Sequence, residues 1–374
     1  MQLRGHSVSL KTHFLAIMRF QVHQLSSKAH QAKSLWRKPR RNMNLIEKIG
    51  KLLVVTVMFW NLENYFDPFA GTAGNDYTPG GEKHWTWKKF CAKRDLISKV
   101  ILSTKDAYGA FPSIIGVCEA ENLYVLQQLT TATQLSALGY KILHRNSIDK
   151  RGIDVALLYR TEQVKILEEE YFPSREELLE QNLRTRYVLY AKCVIKEAED
   201  TLHLFVNHWP SKIGGVKSSD QPRMFIANAV KEKCDSILYF DSHARIILMG
   251  DFNDTPESEP IKNLCLYDAE QDDAVQNDAK QSGGQRLINL AETQSAHAWG
   301  TGSYKFKERW EAIDQFIVRD SAGMKMNVFT HPSLFKEDKN FLGKQINRSI
   351  KGVRYTGGAS DHLPIILQVK YHKR

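Results

Sequence analysis

Apolar positions in this chain fall into short continuous runs separated by polar stretches. The longest, Leu52 to Trp60 (LLVVTVMFW), is rich in β-branched residues and predicts a buried strand. Ser113 to Cys118 (SIIGVC) predicts a second. Ile153 to Arg160 (IDVALLYR), Arg186 to Ile195, Thr201 to Asn207 (TLHLFVN), Arg245 to Met249, Ile313 to Val318 and Pro364 to Val369 read as further strands. Trp87 to Thr104 carries Phe90, Ile97 and Ile101 at helical spacing, and Leu123 to Leu138 reads as a second helix. Gln221 to Phe240 predicts a third, opened by Asp220 and Pro222. About ten strands mixed with a few helices, without repeats or a long linker, predict an α/β (α+β) architecture of two packed sheets flanked by helices. One domain is expected over residues 46–374.

Composition changes this picture little. Of 374 residues, 42% are hydrophobic and 25% charged, as in ordinary globular proteins. No stretch reaches the roughly 18 apolar residues of a membrane-spanning helix. The formal net charge is +10, but Arg4, Lys11, Arg19, Lys28, Lys33, Arg37, Lys38, Arg40 and Arg41 stand in a segment without Asp or Glu. Without those residues the remainder is nearly neutral, so attraction to phosphate must come from local clusters. Residues 1–45 read as a basic, disordered extension, with Met43 as an internal start just before the first strand. The five cysteines are widely spaced and suggest neither a metal site nor a disulfide framework. Reduced thiols and the lack of a secretory signal make a cytoplasmic location the expectation.

Polar residues collect at the ends of the most apolar runs. Asn61 follows LLVVTVMFW, Glu119 follows SIIGVC, and His208 follows LHLFVN. Asp251 and Asn253 follow RIILMG, while Asp361 and His362 precede LPIILQV. Singly each has a bland explanation: a turn for Asp251 to Asp254, a surface carboxylate for Glu119, structural imidazoles for the two histidines. Five strand ends carrying such residues together point to a site held in fixed geometry. Mg²⁺ prefers oxygen ligands and takes one or two carboxylates, a role Glu119 fits with the Asn61 amide oxygen beside it. Zinc would ask for more His or Cys. Two histidines supply a base and an acid or charge stabiliser, and Asp314 would orient one imidazole.

Phe59 to Leu62 (FWNL), Val117 to Glu119 (VCE), Asn207-His208, Gly250 to Asp254 (GDFND), Ile313 to Phe316 (IDQF) and Ser360 to Pro364 (SDHLP) occur in this order. The series resembles the endonuclease/exonuclease/phosphatase superfamily of DNase I-like metallohydrolases. Asn61 to Asp67 (NLENYFD), Cys118 to Asn122 (CEAEN), Arg151 to Val155 (RGIDV) and Asn207 to Ser211 (NHWPS) are similar to a bacterial branch of it. The resemblance covers nearly everything after residue 50. It implies a four-layered sandwich with two mixed or antiparallel sheets face to face, flanked by helices. It also implies that Glu119, Asn61 and Asp361 bind a divalent metal, Mg²⁺ with Mn²⁺ as a substitute. His362, held by Asp314, would activate water, and Asp251 would assist that water or a second ion. Asn253 would orient the phosphate, and His208 would stabilise charge or protonate the leaving oxygen. Trp209 stands where DNase-type nucleases commonly have a small apolar residue.

Two basic, aromatic segments bear on the substrate. Lys83 to Phe90 (KHWTWKKF) continues to Lys93 and Arg94, and Lys336 to Arg354 leads into Ser360-Asp361-His362. Lys and Arg neutralise backbone phosphates, and Trp stacks on bases. For the first segment, inward packing of Trp85 and Trp87 is an equal expectation. Arg184, Arg186, Tyr304, Lys305 and Arg348 are further candidates for phosphate or substrate contact. Three readings stay open: a nuclease, the favoured one; a phosphatase or phosphodiesterase acting on a lipid headgroup, sugar phosphate or small phosphoester; and a binding module that kept the fold without the chemistry. The expected partner is the phosphoester itself, with no stable protein partner.

Overall fold

The structure, a computed structural model, describes residues 52–69, 76–212, 216–266, 287–293, 302–307, 309–338 and 343–372. The expected basic extension over residues 1–45 lies outside the described residues, as do residues 339–342 of the second basic segment. Among the described residues no helix is long and apolar enough to cross a membrane.

Two six-stranded sheets carry the fold. The first contains β1 (Leu52–Tyr65), β2 (Ile114–Ala120), β3 (Tyr140–His144), β4 (Asp154–Arg160), β13 (Met324–Val328) and β18 (Ile365–His372), in the order β13-β18-β1-β2-β4-β3. The second contains β5 (Val164–Phe172), β6 (Val188–Ile195), β7 (Asp200–His208), β8 (Arg245–Asp251), β9 (Ile288–Asn289) and β12 (Asp314–Val318), in the order β5-β6-β7-β8-β12-β9. β1 and β2 are parallel, joined through α1 (Trp87–Tyr108). β7 and β8 are also parallel, joined through α4 (Val216–Phe240). A parallel pair needs such a crossover, so both helices lie on the outer faces of their sheets. The short helix α3 (Arg175–Glu180) links β5 to β6 and is closed by a capping box between Ser174 and Glu177.

Strand alternation builds the layers. Val55, Val57, Phe59, Ile114 and Cys118 meet Leu204, Val206, Ile247, Met249 and Phe316 between the sheets. Met58, Trp60, Ile115 and Val117 face outward onto Phe90, Ile97 and Ile101 of α1 and onto Leu126 of α2 (Leu123–Thr131). Phe205, Ile246, Leu248 and Ile317 face Ile226 and Val230 of α4 and Ile261 of α5 (Glu259–Cys265). The result is the expected four-layered sandwich, helix-sheet-sheet-helix. The sheets approach closely at Gly116, where an added Cβ would stand 2.6 Å from Met249 Sδ.

Several expected elements differ. The third helix starts at Val216, and Asp220 and Pro222 lie inside it. Pro222 is the seventh residue of the helix, past the four amides that lack an intrahelical acceptor, so its missing N–H removes one bond of the helical ladder. The predicted helix over residues 123–138 ends at Thr131, followed by a 3₁₀ turn over Gln134–Leu138 capped by Gly139 at φ 64°. Strands β3, β5 and β13 are additional; β5 holds three consecutive glutamates and lies at a sheet edge, where one face meets water. Before β12 the chain forms a ribbon of β10 (Tyr304–Phe306) with β11 (Arg309–Glu311). The basic segment after residue 335 is also built from small ribbons: β14 (Phe335–Glu337) with β15 (Lys344–Ile346), and β16 (Ile350–Lys351) with β17 (Arg354–Tyr355).

Candidate active site

The inter-sheet core gives way to polar side chains at one end. His208 continues the inward-facing series Leu202, Leu204, Val206; Asp251 continues Ile247, Met249; Asp314 precedes Phe316; Asn61 follows Phe59. The ladders fix their mutual positions. His208 stands opposite Asp251, Asp251 opposite Asp314, and Asn61 opposite Cys118, the neighbour of Glu119. The parallel pairs thus contribute their carboxyl-terminal ends, and antiparallel β12 contributes its start.

Glu119 reaches this face through a backbone irregularity. Cys118 faces inward and Ala120 faces the helical layer, although strand alternation would put both on one side. Glu119 between them has φ 61°, and the register to β4 shifts there. The left-handed conformation is costly for a residue with a Cβ and persists where surroundings over-determine it. Here the Asn64 amide donates to Glu119 Oε2 at 2.8 Å.

Asp251 is the hub. Its Oδ2 accepts from Asn61 Nδ2 at 2.9 Å and lies 3.8 Å from both His208 Nε2 and His362 Nε2. Its Oδ1 accepts from the Asn253 amide at 2.9 Å. His362 Nδ1 lies 2.7 Å from Asp314 Oδ2, which also accepts from Ser303 Oγ. Ser360, Asp361 and His362 divide their work. Ser360 Oγ donates to the Asn61 carbonyl at 2.6 Å and accepts from the His362 amide at 3.0 Å, fastening the turn to β1. Trp60 Nε1 donates to the His362 carbonyl at 2.9 Å. Asp361 Oδ2 accepts from Arg348 Nη2 at 2.7 Å while its Oδ1 lies 4.0 Å from His362 Nε2, and the His362 Nδ1 edge turns to Asp314.

Electrostatics separate the two histidines. Burial disfavours His362's charge, yet Asp314, through charge and hydrogen bond, together with Asp251 and Asp361 hold its pKa well above 6.5. His208 is held well below 6.5 by burial and by Arg186, Arg151 and His362. Burial, with Asp314's like charge, pushes Asp251 up to about 7 against the opposing pull of His362. Glu119 is also pushed up by burial, but Arg151, the Asn64 amide and His362 bring it below 4.5. The site therefore places its strongest proton affinity at His362, a neutral imidazole at His208 and a carboxylate at Glu119.

The remaining expected residues divide. The Tyr304 ring packs on His362 with centroids 4.8 Å apart, so it belongs to the site. Its neighbour Lys305 does not: strand alternation turns it to Asp338 Oδ2 at 3.2 Å and the Lys344 carbonyl at 3.0 Å. Arg186 is buried as a brace, with Nη1 on Asp149 at 3.0 Å and Nη2 on the Trp209 carbonyl at 2.6 Å. Arg184 is exposed and has no described bond to a site residue. Asn253, at φ 51°, donates from Nδ2 to the Trp209 carbonyl at 2.9 Å. The Trp209 indole itself is fully buried against Phe252 and donates to Asn207 Oδ1 at 3.1 Å, so it supports the site from below. Of the paired tryptophans, Trp85 packs inward and Trp87 is 43% exposed.

Two residues at the site, Glu63 and Arg151, escape sequence reasoning, and Lys93, expected in a substrate-facing basic segment, is instead buried. Arg151 Nη2 lies 3.4 Å from Glu119 Oε1. Buried Lys93 donates to the Glu63 carbonyl, and burial lowers its pKa to about 8. The motifs RGIDV and NLENYFD contain Arg151 and Glu63, but the partners of Glu63 lie up to 287 positions away.

The donors suit a hard divalent cation. Asn61, Glu119 and Asp361 offer oxygen only, and the lowered pKa of Glu119 keeps a carboxylate available. Two further groups, Asp251-Asp314-His362 and Cys118-His208-Asp251, have potential ligand atoms within 4.8 Å of one another. In the first, the Asp314-His362 hydrogen bond already accounts for the proximity.

The model of the Endonuclease/Exonuclease/phosphatase family matches residues 56–371. Among solved structures, a family protein from Bacteroides thetaiotaomicron aligns with TM-score 0.53 at 17% identity, covering 86% of this chain and 99% of its own. The mannosyl-6-phosphatase of the same organism aligns with TM-score 0.53 at 19% identity, covering 84% and 98%. A truncated TDP2 from Caenorhabditis elegans aligns with TM-score 0.51 at 12% identity, covering 84% and 97%. At these identities the likeness is one of fold. No curated protein sequence matches the chain.

Proposed function

Since the chain belongs to the Endonuclease/Exonuclease/phosphatase family across residues 56–371, we propose that it is a Mg²⁺-dependent phosphoester hydrolase acting on nucleic-acid phosphodiesters. One observation carries the choice of substrate: the two basic, aromatic segments converge. Lys83 Nζ donates to the Gly352 carbonyl at 3.1 Å, Lys89 Nζ lies 5.3 Å from the Tyr355 ring centroid, and Trp85 meets Tyr355 at 5.9 Å. Lys336 has its pKa lowered by burial and then by the like charges of Lys351, Arg348 and Arg354, which brings these cations into one neighbourhood. Arg348 ties that neighbourhood to Asp361. A nearly neutral domain with cations gathered beside its site suits a polyanion whose phosphates flank the bond to be cut.

Mg²⁺ or Mn²⁺ held by Asn61, Glu119 and Asp361 would neutralise charge on the phosphoryl oxygens. The other roles follow from the side chains. His362 Nε2 accepts the proton of the attacking water while Asp314 fixes the ring through Nδ1 and stabilises the imidazolium. Asp251 Oδ2, 3.8 Å from both imidazole Nε2 atoms, is positioned to orient that water. Neutral His208 donates an N–H to charge developing on the phosphoryl group. Asn253, fastened to Asp251 and the Trp209 carbonyl, orients the phosphate.

Incubation of plasmid and single-stranded DNA and RNA with Mg²⁺ or Mn²⁺ at several salt concentrations tests this, with Asp251→Ala as control. Cleavage that weakens with salt and vanishes in the variant is expected. No cleavage at any salt, with phosphate released from small monoesters, would move the function to a phosphatase. No hydrolysis of any ester would favour the binding module.

A further inference from the structure

Glu63 is an ionisable side chain with 3% exposure that the reaction above does not use. It sits two residues beyond Asn61, where β1 loses its regular pairing. Leu62 and Tyr65 both face the helical layer, which alternation forbids; Glu63 at φ 47° and Asn64 at φ 50° between them reset the phase. The reset sends the Glu63 carboxylate into the turn that precedes β16. Oε2 accepts from the Ser349 amide at 2.5 Å, and Oε1 accepts from the Ile350 amide at 3.3 Å and from Arg348 Nε at 3.2 Å. Arg348 then reaches Asp361 Oδ2 through Nη2 at 2.7 Å.

A guanidinium has five N–H groups in one plane. Two of them engage Glu63, in β1, and Asp361, in the bend before β18, and these fix the plane at two points. Among the described residues the Nη1 edge and the second Nη2 hydrogen have no hydrogen-bond partner, and they face an incoming group. The side chain is 39% exposed, so that edge is accessible. Arg348 is also within electrostatic range of the Tyr304 hydroxyl, whose ring covers His362. A planar donor edge beside the water-activating imidazole matches the two non-bridging oxygens of a phosphate.

We propose that Glu63 is the positioning residue for Arg348, holding its guanidinium as a preset docking edge for the non-bridging oxygens of the substrate phosphate. The assignment rests on the phosphoester reading above and deepens it. The strand irregularity that carries Glu63 begins at Asn61, so the metal side and the phosphate side of the site share one piece of backbone.

A double-mutant cycle tests this on the dissociation constant of inorganic phosphate, measured by calorimetry in the presence of Mg²⁺, and in parallel on kcat/KM for bis-p-nitrophenyl phosphate. Glu63→Gln keeps the shape but loses the second acceptor and the charge; Arg348→Lys keeps a cation but loses the fork. Each is expected to weaken phosphate binding by about tenfold. Adding Glu63→Gln to the Arg348→Lys variant is expected to cost less than about twofold more. Independent, multiplicative losses would overturn the assignment and leave Glu63 as a purely structural brace. Wild-type protein that binds phosphate no better than Arg348→Lys would overturn it as well. Failure of the wild type to hydrolyse any ester would instead refute the function, since the binding cycle does not depend on turnover.

Discussion

Asp314→Asn isolates one interaction at the centre of the site. The substitution keeps an oxygen that can accept from His362 Nδ1, so the 2.7 Å hydrogen bond survives; the charge is lost, and an NH2 replaces Oδ1, which is buried with no hydrogen-bond partner among the described residues. Asp314 and His362 are both buried, at 1% and 5% exposure, so solvent screens the pair weakly. With charge centres about 4 Å apart and an effective dielectric of about 20, the lost attraction is about 4 kcal/mol. Since Asp314 is the leading cause that raises His362's pKa, the variant should titrate at lower pH than the wild type. If His362 becomes cationic in the transition state, the same loss slows hydrolysis by about 10³-fold, taking about 1.36 kcal/mol per decade. Histidine side-chain NMR across pH, combined with kcat against pH, reads both effects. The wild-type rate should rise through a limb above pH 6.5, because a base must shed its proton, and in the variant that limb should move down. An unmoved His362 titration, or a variant within about threefold of wild-type rate, would refute the reasoning.

Other outcomes follow from the same geometry. Chelation with EDTA should abolish hydrolysis, Mg²⁺ or Mn²⁺ should restore it, and Glu119→Gln should not be restored, as read by bis-p-nitrophenyl phosphate turnover. Gly250→Ala would place a Cβ 2.5 Å from the Asn207 Cβ and 2.6 Å from its carbonyl oxygen; backbone must shift, so thermal denaturation should show a loss of about 1–3 kcal/mol. For stability against pH the signs oppose. Glu119's folded pKa lies below 4.5, so its contribution is present above that value and lost as pH falls through the lowered pKa. His362's lies above 6.5, so its contribution is complete below 6.5 and lost as pH rises through the raised pKa. Urea denaturation from acid to alkaline pH should therefore fall off at both ends, and Glu119→Gln should flatten the acid side only.

The sheets are legible in the sequence because their strands are apolar on both faces, one toward the second sheet and one toward helices. Edge strands β5 and β13 lack that signal; in β5, Glu168, Glu169 and Glu170 occupy the middle of the strand. Asn61, Glu119, His208, Asp251, Asp314 and His362 stand out as polar residues bounding apolar runs, and the ladders bring most of them together directly. Lys305 defeats a reading by segments: it is adjacent to Tyr304 in β10, but alternation sends the two to opposite sides. Arg186 defeats it for another reason. An arginine before a strand looks the same in sequence whether it faces phosphate or, as here, Asp149 and a carbonyl.

What stays hidden is the set of left-handed residues. Glu63, Asn64, Glu119 and Asn253 all have positive φ, and none is glycine. In a regular strand Glu119 would join Val117 on the helical face, away from Asp251, and the hub would lose its neighbouring carboxylate. Each such residue costs on the order of 1–3 kcal/mol. Their clustering at the ends of β1, β2 and β8 indicates that the sandwich gives up stability where two parallel pairs end. The compensating bonds are local: Asn64 to Glu119, Ser349 and Ile350 to Glu63, and Asn253 to Asp251. Each joins a strained residue to a group given a role in the proposed reaction or in positioning Arg348. Glycine at position 119 would relieve the backbone but remove the carboxylate, so strain and chemistry there cannot be separated by substitution within one residue. They can be separated at Asn64, whose side chain takes no described part in the site. Asn64→Gly keeps the amide that serves Glu119 and lowers the cost of φ 50°, so it should raise thermal stability while leaving kcat within about twofold.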